Sequence, residues 1–174
     1  MILKGKNVTL RPLIEVDFDQ YYKWHSDNEI RFQTMMHPYP VTEKLEKIWF
    51  EKAISDISNK RYLFSIIYNE NNQLIGYFQL TDVNFINRNA NLGIVIGEKD
   101  YQEKGLGKEI MQLGLDYGFN YLGLYKIFLE VLTNNKKAIR LYEKVNFQIE
   151  GEKKQHFFWN NKYYNILLMS KINN

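Results

Sequence analysis

The sequence predicts a mixed α/β (α+β) fold: a single central β-sheet of about seven strands flanked by about four helices. Three observations predict it. Short β-rich runs recur along the chain, with segments of helical periodicity set between some of them. Asn91 to Ile96, then an amphipathic stretch, then the almost continuously apolar Lys126 to Leu132 make a strand–helix–strand unit. Such a unit is a right-handed parallel crossover whose sheet is buried on both faces. No linker, repeat or low-complexity segment divides the 174 residues, so one domain spanning 1–174 is expected.

The elements follow in order. Val8-Thr9-Leu10 is a short strand stopped by Pro12, and a helix from about Val16 to Trp24 carries Asp17 and Asp19 in its first turn, where the helix dipole favours them. A second helix fits Thr42 to Ile57, with Leu45, Ile48, Trp49, Ala53 and Ile57 at helical spacing on the face that should be buried. Between the two, Thr34 to Pro40 is an irregular loop of the kind that often lines a site. Tyr62 to Tyr68 and Gln73 to Leu80 form a hairpin around the turn residues Asn69 to Asn72. The crossover helix, Lys108 to Tyr121, repeats Ile110, Leu113, Tyr117 and Tyr121 on one face. After Leu132, Asn134 can cap a helix from Asn135 to Val145, and Asn146 can end it in a left-handed conformation. A last hairpin, Gln155 to Trp159 and Tyr163 to Met169, turns at Asn160-Asn161.

Composition excludes several functions. With 45% hydrophobic and 16% aromatic residues the chain can build a sizeable core. No apolar run has the length of a membrane span, and the N-terminus has no signal-peptide core, so no membrane partner and a cytoplasmic location are expected. Zero cysteines exclude disulfides, thiolate metal sites and a thiol nucleophile. His25, His37 and His156 lie far apart without ligand spacing, so no metal is expected. A net charge of +3 suits an anionic ligand but not a nucleic-acid partner.

Gln102-Glu103-Lys104-Gly105-Leu106-Gly107, between a strand and a helix, is the most informative stretch. It reads as a phosphate cradle. Glycine permits positive φ and close approach, and the free N–H groups and dipole of the first helical turn favour an anion. Lys104 and Lys108 add positive charge. A Walker loop fails here because Gln102 stands where the first Gly belongs and Gly107-Lys108 is followed by Glu109. A dinucleotide fingerprint fails because Ile110 stands where a third Gly is needed.

The residues resemble the Gcn5-related N-acetyltransferase superfamily. Gln102, Gly105 and Gly107 match its loop, and Asn134, Ala138, Ile139, Leu141, Tyr142, Glu143, Lys144 and Phe147 match its second signature, with Asn146 in place of the usual Gly. Within it, Leu10-Arg11-Pro12-Leu13 and Phe147 to Gly151 look like the branch of ribosomal-protein N-terminal acetyltransferases and bacterial spermidine acetyltransferases. Asp116 to Phe119, Leu124-Tyr125-Lys126 and Phe157 to Tyr163 look nearest to the spermidine enzymes. The resemblance implies transfer of acetyl from acetyl-coenzyme A (acetyl-CoA) to an amine by direct attack. The acceptor is then a small amine or polyamine first, with a protein N-terminus or an amino sugar as alternatives.

It also implies roles. Backbone groups of Ile94, Val95, Ile96 and Gly97 would pair with pantetheine, and Gln102, Glu103, Lys104, Gly105, Leu106, Gly107 and Lys108 would hold the pyrophosphate. Asn134 and Lys137 would complete the coenzyme site. Tyr142 would protonate the departing thiolate, with core packing as its rival reading. Glu130, a charge amid Ile127 to Leu132, is the candidate base, directly or through water; a structural ion pair is the plain alternative. Trp24, Phe32, Gln79, Asp82 and Asn91 would line the acceptor pocket. A module that binds acyl-CoA without catalysis would keep the glycine loop but not Glu130 and Tyr142. The exposed aromatic stretch His156 to Trp159 offers a contact for a homo-oligomer.

Overall fold

The computed structural model describes residues 1–173. Its strands are β1 (Leu3–Lys4), β2 (Val8–Pro12), β3 (Tyr62–Tyr68), β4 (Gln73–Asn84), β5 (Asn89–Ile96), β6 (Lys126–Leu132), β7 (Gln148–Trp159) and β8 (Lys162–Ile172). Its helices are α1 (Phe18–Ser26), α2 (Asn28–Gln33), α3 (Glu43–Ile54), α4 (Leu106–Asp116) and α5 (Lys136–Lys144). The strands form one sheet in the order β1-β2-β3-β4-β5-β6-β8-β7. Every neighbouring pair is antiparallel except β5 and β6, the parallel pair joined through α4.

Alternation along the strands sends side chains to two cores. Phe78, Leu92, Ile127 and Leu129 meet Ile110, Met111 and Leu115 of α4 and Ile139 of α5 on one face. On the other face Tyr77 and Val95 pack with Tyr21 and Trp24 of α1, Ile30 of α2 and Phe50 of α3. A smaller cluster on this second face joins Leu132, Phe157 and Ile166 to Phe32, Met35, Trp159 and Tyr164. Burial of side chains of this size stabilises the fold by roughly 1.5–3 kcal/mol each.

Several expectations need correction. The sheet gains an eighth strand because Leu3–Lys4, too short to show periodicity, pairs with Thr9 and Leu10. The first helix begins at Phe18 and is followed by an unforeseen helix, α2, whose N-terminus Asp27 caps by accepting from the N–H groups of Glu29 (2.8 Å) and Ile30 (3.1 Å). In α3 the buried positions include Glu46 and Phe50, while Leu45, Ile48 and, beyond the helix end, Ile57 are exposed. The rotation has a cause: Glu46 turns inward to meet His25 Nδ1 at 2.5 Å inside the protein. The crossover helix starts at Leu106 and is regular only to Asp116; Leu122 then donates to Tyr117 O, five residues back, and Tyr121 is exposed. The cap of α5 is Asn135, which accepts from Ala138 N at 3.2 Å, not Asn134. Asn146 does take a left-handed φ of 68°, and Asn160 and Asn161 (45° and 60°) turn the last hairpin.

Gly114 lets α4 sit directly on the sheet, since a Cβ there would lie 2.2 Å from Phe78 Cζ. Gly114→Val should therefore lower the urea midpoint by an amount equivalent to about 1–3 kcal/mol, the usual cost of overpacking. An unchanged midpoint would contradict this packing.

Candidate active site

The parallel pairing of β5 and β6 is short. It covers Asn89↔Lys126, Ala90↔Ile127 and Asn91↔Phe128 and then stops. Beyond it β5 continues to Ile96 against β4, and β6 continues to Leu132 against β8. The two strands therefore fork, and one backbone edge of Leu92–Ile96 and one of Leu129–Leu132 face a gap with no strand between them. An extended ligand with amide groups can enter such a gap as a strand would.

The glycine loop closes the C-terminal end of β5. Gln102 Nε2 donates to Ile96 O at 2.8 Å, so the Gln102 side chain braces the loop against the strand. Gly105 turns with φ of 80°, and a Cβ there would meet nothing within 4 Å, so the site needs glycine for its backbone conformation. Gly107 serves packing instead: a Cβ there would lie 3.0 Å from Leu141 Cδ2 on α5. Leu106 points its side chain into the core. Among the described residues the N–H groups from Glu103 to Gly107 have no acceptor, and Lys108 N makes only a 3.3 Å bond to Gly105 O. This run of free donors at the start of α4 fits the pyrophosphate of a coenzyme. Lys104 lies over the Tyr101 ring at 5.3 Å, and Glu103 is ion-paired with Lys137 of α5 on the surface. The Lys108 side chain borders a groove of about 380 Å³ shared with Gln112, Lys144 and Lys171, between α4 and the end of α5.

Helix α5 starts beside the end of β6. Because Asn135 caps it, the exposed Asn134 side chain is left without a hydrogen bond among the described residues. Tyr142 is buried in the last turn of α5, its ring 6.0 Å from that of Phe147. Its hydroxyl has no hydrogen-bond partner among the described residues, and burial pushes the phenol up to about 12. At neutral pH it is a proton donor.

The second face of the fork carries the residues expected to meet the acceptor. Register places Asn91, Phe128 and Glu130 on this face, with Gly93 and Gln79 beside them on β5 and β4. The Gln79 amide lies flat over Gly93, where a Cβ would stand 2.9 Å from Nε2. Helix α2 crosses above, with Ile30 in the α1–α3 core and Phe32 in the cluster of the β7–β8 hairpin. Glu130 Oε1 accepts from Lys153 Nζ at 2.5 Å, a partner the sequence reading did not name. Bulges in β7 on both sides of Lys153 defeat simple register counting. Among the expected acceptor residues, Gln79 and Asn91 share this face of the sheet, Phe32 packs in the cluster of the β7–β8 hairpin, and Asp82 sits exposed on the β4 bulge with φ of 52°. Trp24 is 1% exposed, packs where a Gly97 Cβ would be, donates from Nε1 to Glu98 at 2.9 Å, and borders a cavity of about 200 Å³ with Ile30 and Gly97. Among the described residues no cluster of three or more His, Asp or Glu could hold a metal, and no helix is long and apolar enough to cross a membrane.

Residues 7–148 match the model of the acetyltransferase (GNAT) domain. The chain belongs to the GNAT family. It is accordingly an N-acetyltransferase that draws its acetyl group from acetyl-CoA. The spermidine N(1)-acetyltransferase of Escherichia coli K12 is 32% identical over 163 residues, covering 94% of this chain and 84% of that protein. The Vibrio cholerae enzyme of the same name is 32% identical over 165 residues, covering 95% and 92%. A crystal structure of spermidine N-acetyltransferase from V. cholerae with CoA and spermine superposes with a TM-score of 0.88 at 30% identity, covering 97% and 96% of the two chains. A dodecameric structure of that enzyme gives 0.80 at 29% identity, covering 97% and 95%.

If Gln102 braces this GNAT loop, Gln102→Ala should weaken acetyl-CoA binding about two- to tenfold, the worth of one hydrogen bond of about 0.5–1.5 kcal/mol. An unchanged Kd in calorimetry would remove Gln102 from the site.

Proposed function

We propose that this GNAT enzyme acetylates the primary amino group of a small amine, a polyamine being the first class to consider, by direct attack of the neutral nitrogen. The run of free N–H groups from Glu103 to Gly107 at the end of the β5–β6 fork carries the reading. These amides and the Gln102-braced loop would hold the pyrophosphate, and the open edge of Ile94 to Gly97 would pair with the pantetheine amides. When bound, acetyl-CoA supplies an activated acetyl thioester.

The remaining steps belong to side chains. An aliphatic amine is mostly protonated at pH 7, so its proton must leave before or during attack. Glu130 would take it, directly or through water; Lys153 holds Oε1, and Oε2 has no partner among the described residues. As the N–C bond forms and the C–S bond breaks, Tyr142 would give its proton to the departing thiolate and regain one from solvent. A phenol kept neutral by burial suits that task, because it stays protonated across the working pH range. The relatives named above act on spermidine by their names, which supports a small amine over a protein N-terminus. The exposed Phe158–Tyr163 pair, with ring centroids 5.1 Å apart, supports a subunit contact in a homo-oligomer.

The test is thiol release from acetyl-CoA across spermidine, spermine, simple monoamines, short peptides and amino-sugar nucleotides. Turnover on small amines, reduced 10²–10⁴-fold in Tyr142→Phe with acetyl-CoA binding retained, is the expected result. Bound acetyl-CoA without turnover on any acceptor would instead indicate a module that binds the coenzyme without catalysis.

A further inference from the structure

We infer that the enzyme acetylates itself on Lys153. The inference rests on the amine-acetylating reading above, with Glu130 as the base, and adds a second acceptor: a primary amine that the chain itself supplies.

Lys153 stands where the amino group of an acceptor has to stand. Its Nζ donates at 2.5 Å to Glu130 Oε1, an oxygen of the carboxylate that takes the acceptor's proton in that reading. Phe128 is the last residue of β6 paired with β5, and Glu130 is the next residue on the same face, so its backbone lines the fork that the thioester would enter. An amine held on this carboxylate therefore occupies the place of the attacking nitrogen. The side chains are 35% and 34% exposed, so the contact is open to a ligand from outside.

Strand β7 is shaped to bring this contact about. Ile149 pairs with Met169 and Gly151 with Leu168, which leaves Glu150 as one extra residue in a bulge. Without that residue Glu152, not Lys153, would oppose Ile166 and face the same way as Glu130; a bulge re-aims the side chains that follow it. Register also sets Gly151 across Leu168 from Glu130, so β7 places no side chain directly opposite the carboxylate, and Lys153, two residues on, reaches it.

Lys126 is the comparison within the same sheet. Its Nζ lies 2.6 Å from Glu150, and it is 33% exposed, much like Lys153. It sits at the opposite end of β6, where β5 and β6 are still paired, so it has a carboxylate but no fork beside it.

The step needs no reactant beyond acetyl-CoA. Lys153 Nζ gives one proton to Glu130, which passes it to solvent, and the neutral nitrogen attacks the thioester carbonyl. The N–C bond forms, the C–S bond breaks, and Tyr142 protonates the departing thiolate. The second proton lost by the nitrogen goes to solvent, from which Tyr142 regains one. The products are Nε-acetyllysine and CoA. Acetylated Lys153 carries no charge, so Glu130 Oε1 is released to an arriving ammonium and a repelling charge is removed from the path of a polyamine.

The test incubates the unaltered protein with acetyl-CoA carrying an isotopically labelled acetyl group, without an added acceptor, and follows label at each lysine by peptide mass spectrometry. Lys126 measures uncatalysed chemical acetylation. The expected result is labelling of Lys153 about tenfold or more faster than Lys126, slowed about tenfold or more in Tyr142→Phe with acetyl-CoA binding retained. Labelling of Lys153 no faster than Lys126, or equally fast in Tyr142→Phe, while added small amines are turned over, would overturn the inference and leave amine acetylation in place. Lys153 labelled no faster than Lys126, with no turnover on any amine, would overturn both.

Discussion

The proposed acetyl-transfer site depends on the point where β5 and β6 stop pairing, after Asn91 and Phe128. Backbone N–H and C=O groups in a sheet interior require partners, so two strands that part inside a sheet leave an edge that a ligand or water must satisfy. The fork persists because each strand keeps its other neighbour. β5 is held by β4 as far as Gly76↔Ile96, and β6 by β8 as far as Leu132↔Ile166. Both strands lead to the elements proposed to do the chemistry: β5 to the glycine loop, β6 to Asn134 and the helix of Tyr142.

The acceptor side is framed by a short helix that owes its position to buried polar contacts. Arg31 of α2 donates to His25 O at 2.9 Å, to Tyr39 O at 3.0 Å and to His37 O, tying the end of α1 and the loop after α2 to one guanidinium. Beneath it His25 and Glu46 join α1 to α3. With Ile30 in one cluster and Phe32 in the other, α2 clasps the two halves of the forked sheet on the face where the acceptor would enter. Placing a charged residue in such a position is costly unless its donors are used, and Arg31 uses three carbonyls.

Much of this was legible in the chain. The strand–helix–strand unit, the glycine loop, the bounds of β6 and the turns at Asn146 and Asn160-Asn161 follow from local patterns, and local patterns are what a sequence shows directly. The orientation of α3 was not legible, because a buried His25–Glu46 pair, made by residues 21 positions apart, overrode its apolar spacing. Helix α2 is only six residues long and lacks periodicity, so it hid inside a stretch that reads as loop. Glu130 was visible as a charge in an apolar strand, but its partner Lys153 lies two strands away across β8, in a segment bulged on both sides. Trp24 read as lining the acceptor pocket; it borders a cavity with Ile30 and Gly97 and also packs against Gly97, a contact that only the close approach of α1 to the end of β5 creates.

The measurement that tests the account most directly is amide hydrogen exchange with and without CoA, read at single residues. The account predicts that CoA slows exchange at the free N–H groups from Glu103 to Gly107 and along Ile94 to Gly97, while amides at the groove of Gln112, Lys144 and Lys171 change little. Protection centred on that groove, with the glycine loop and the end of β5 unchanged, would contradict it.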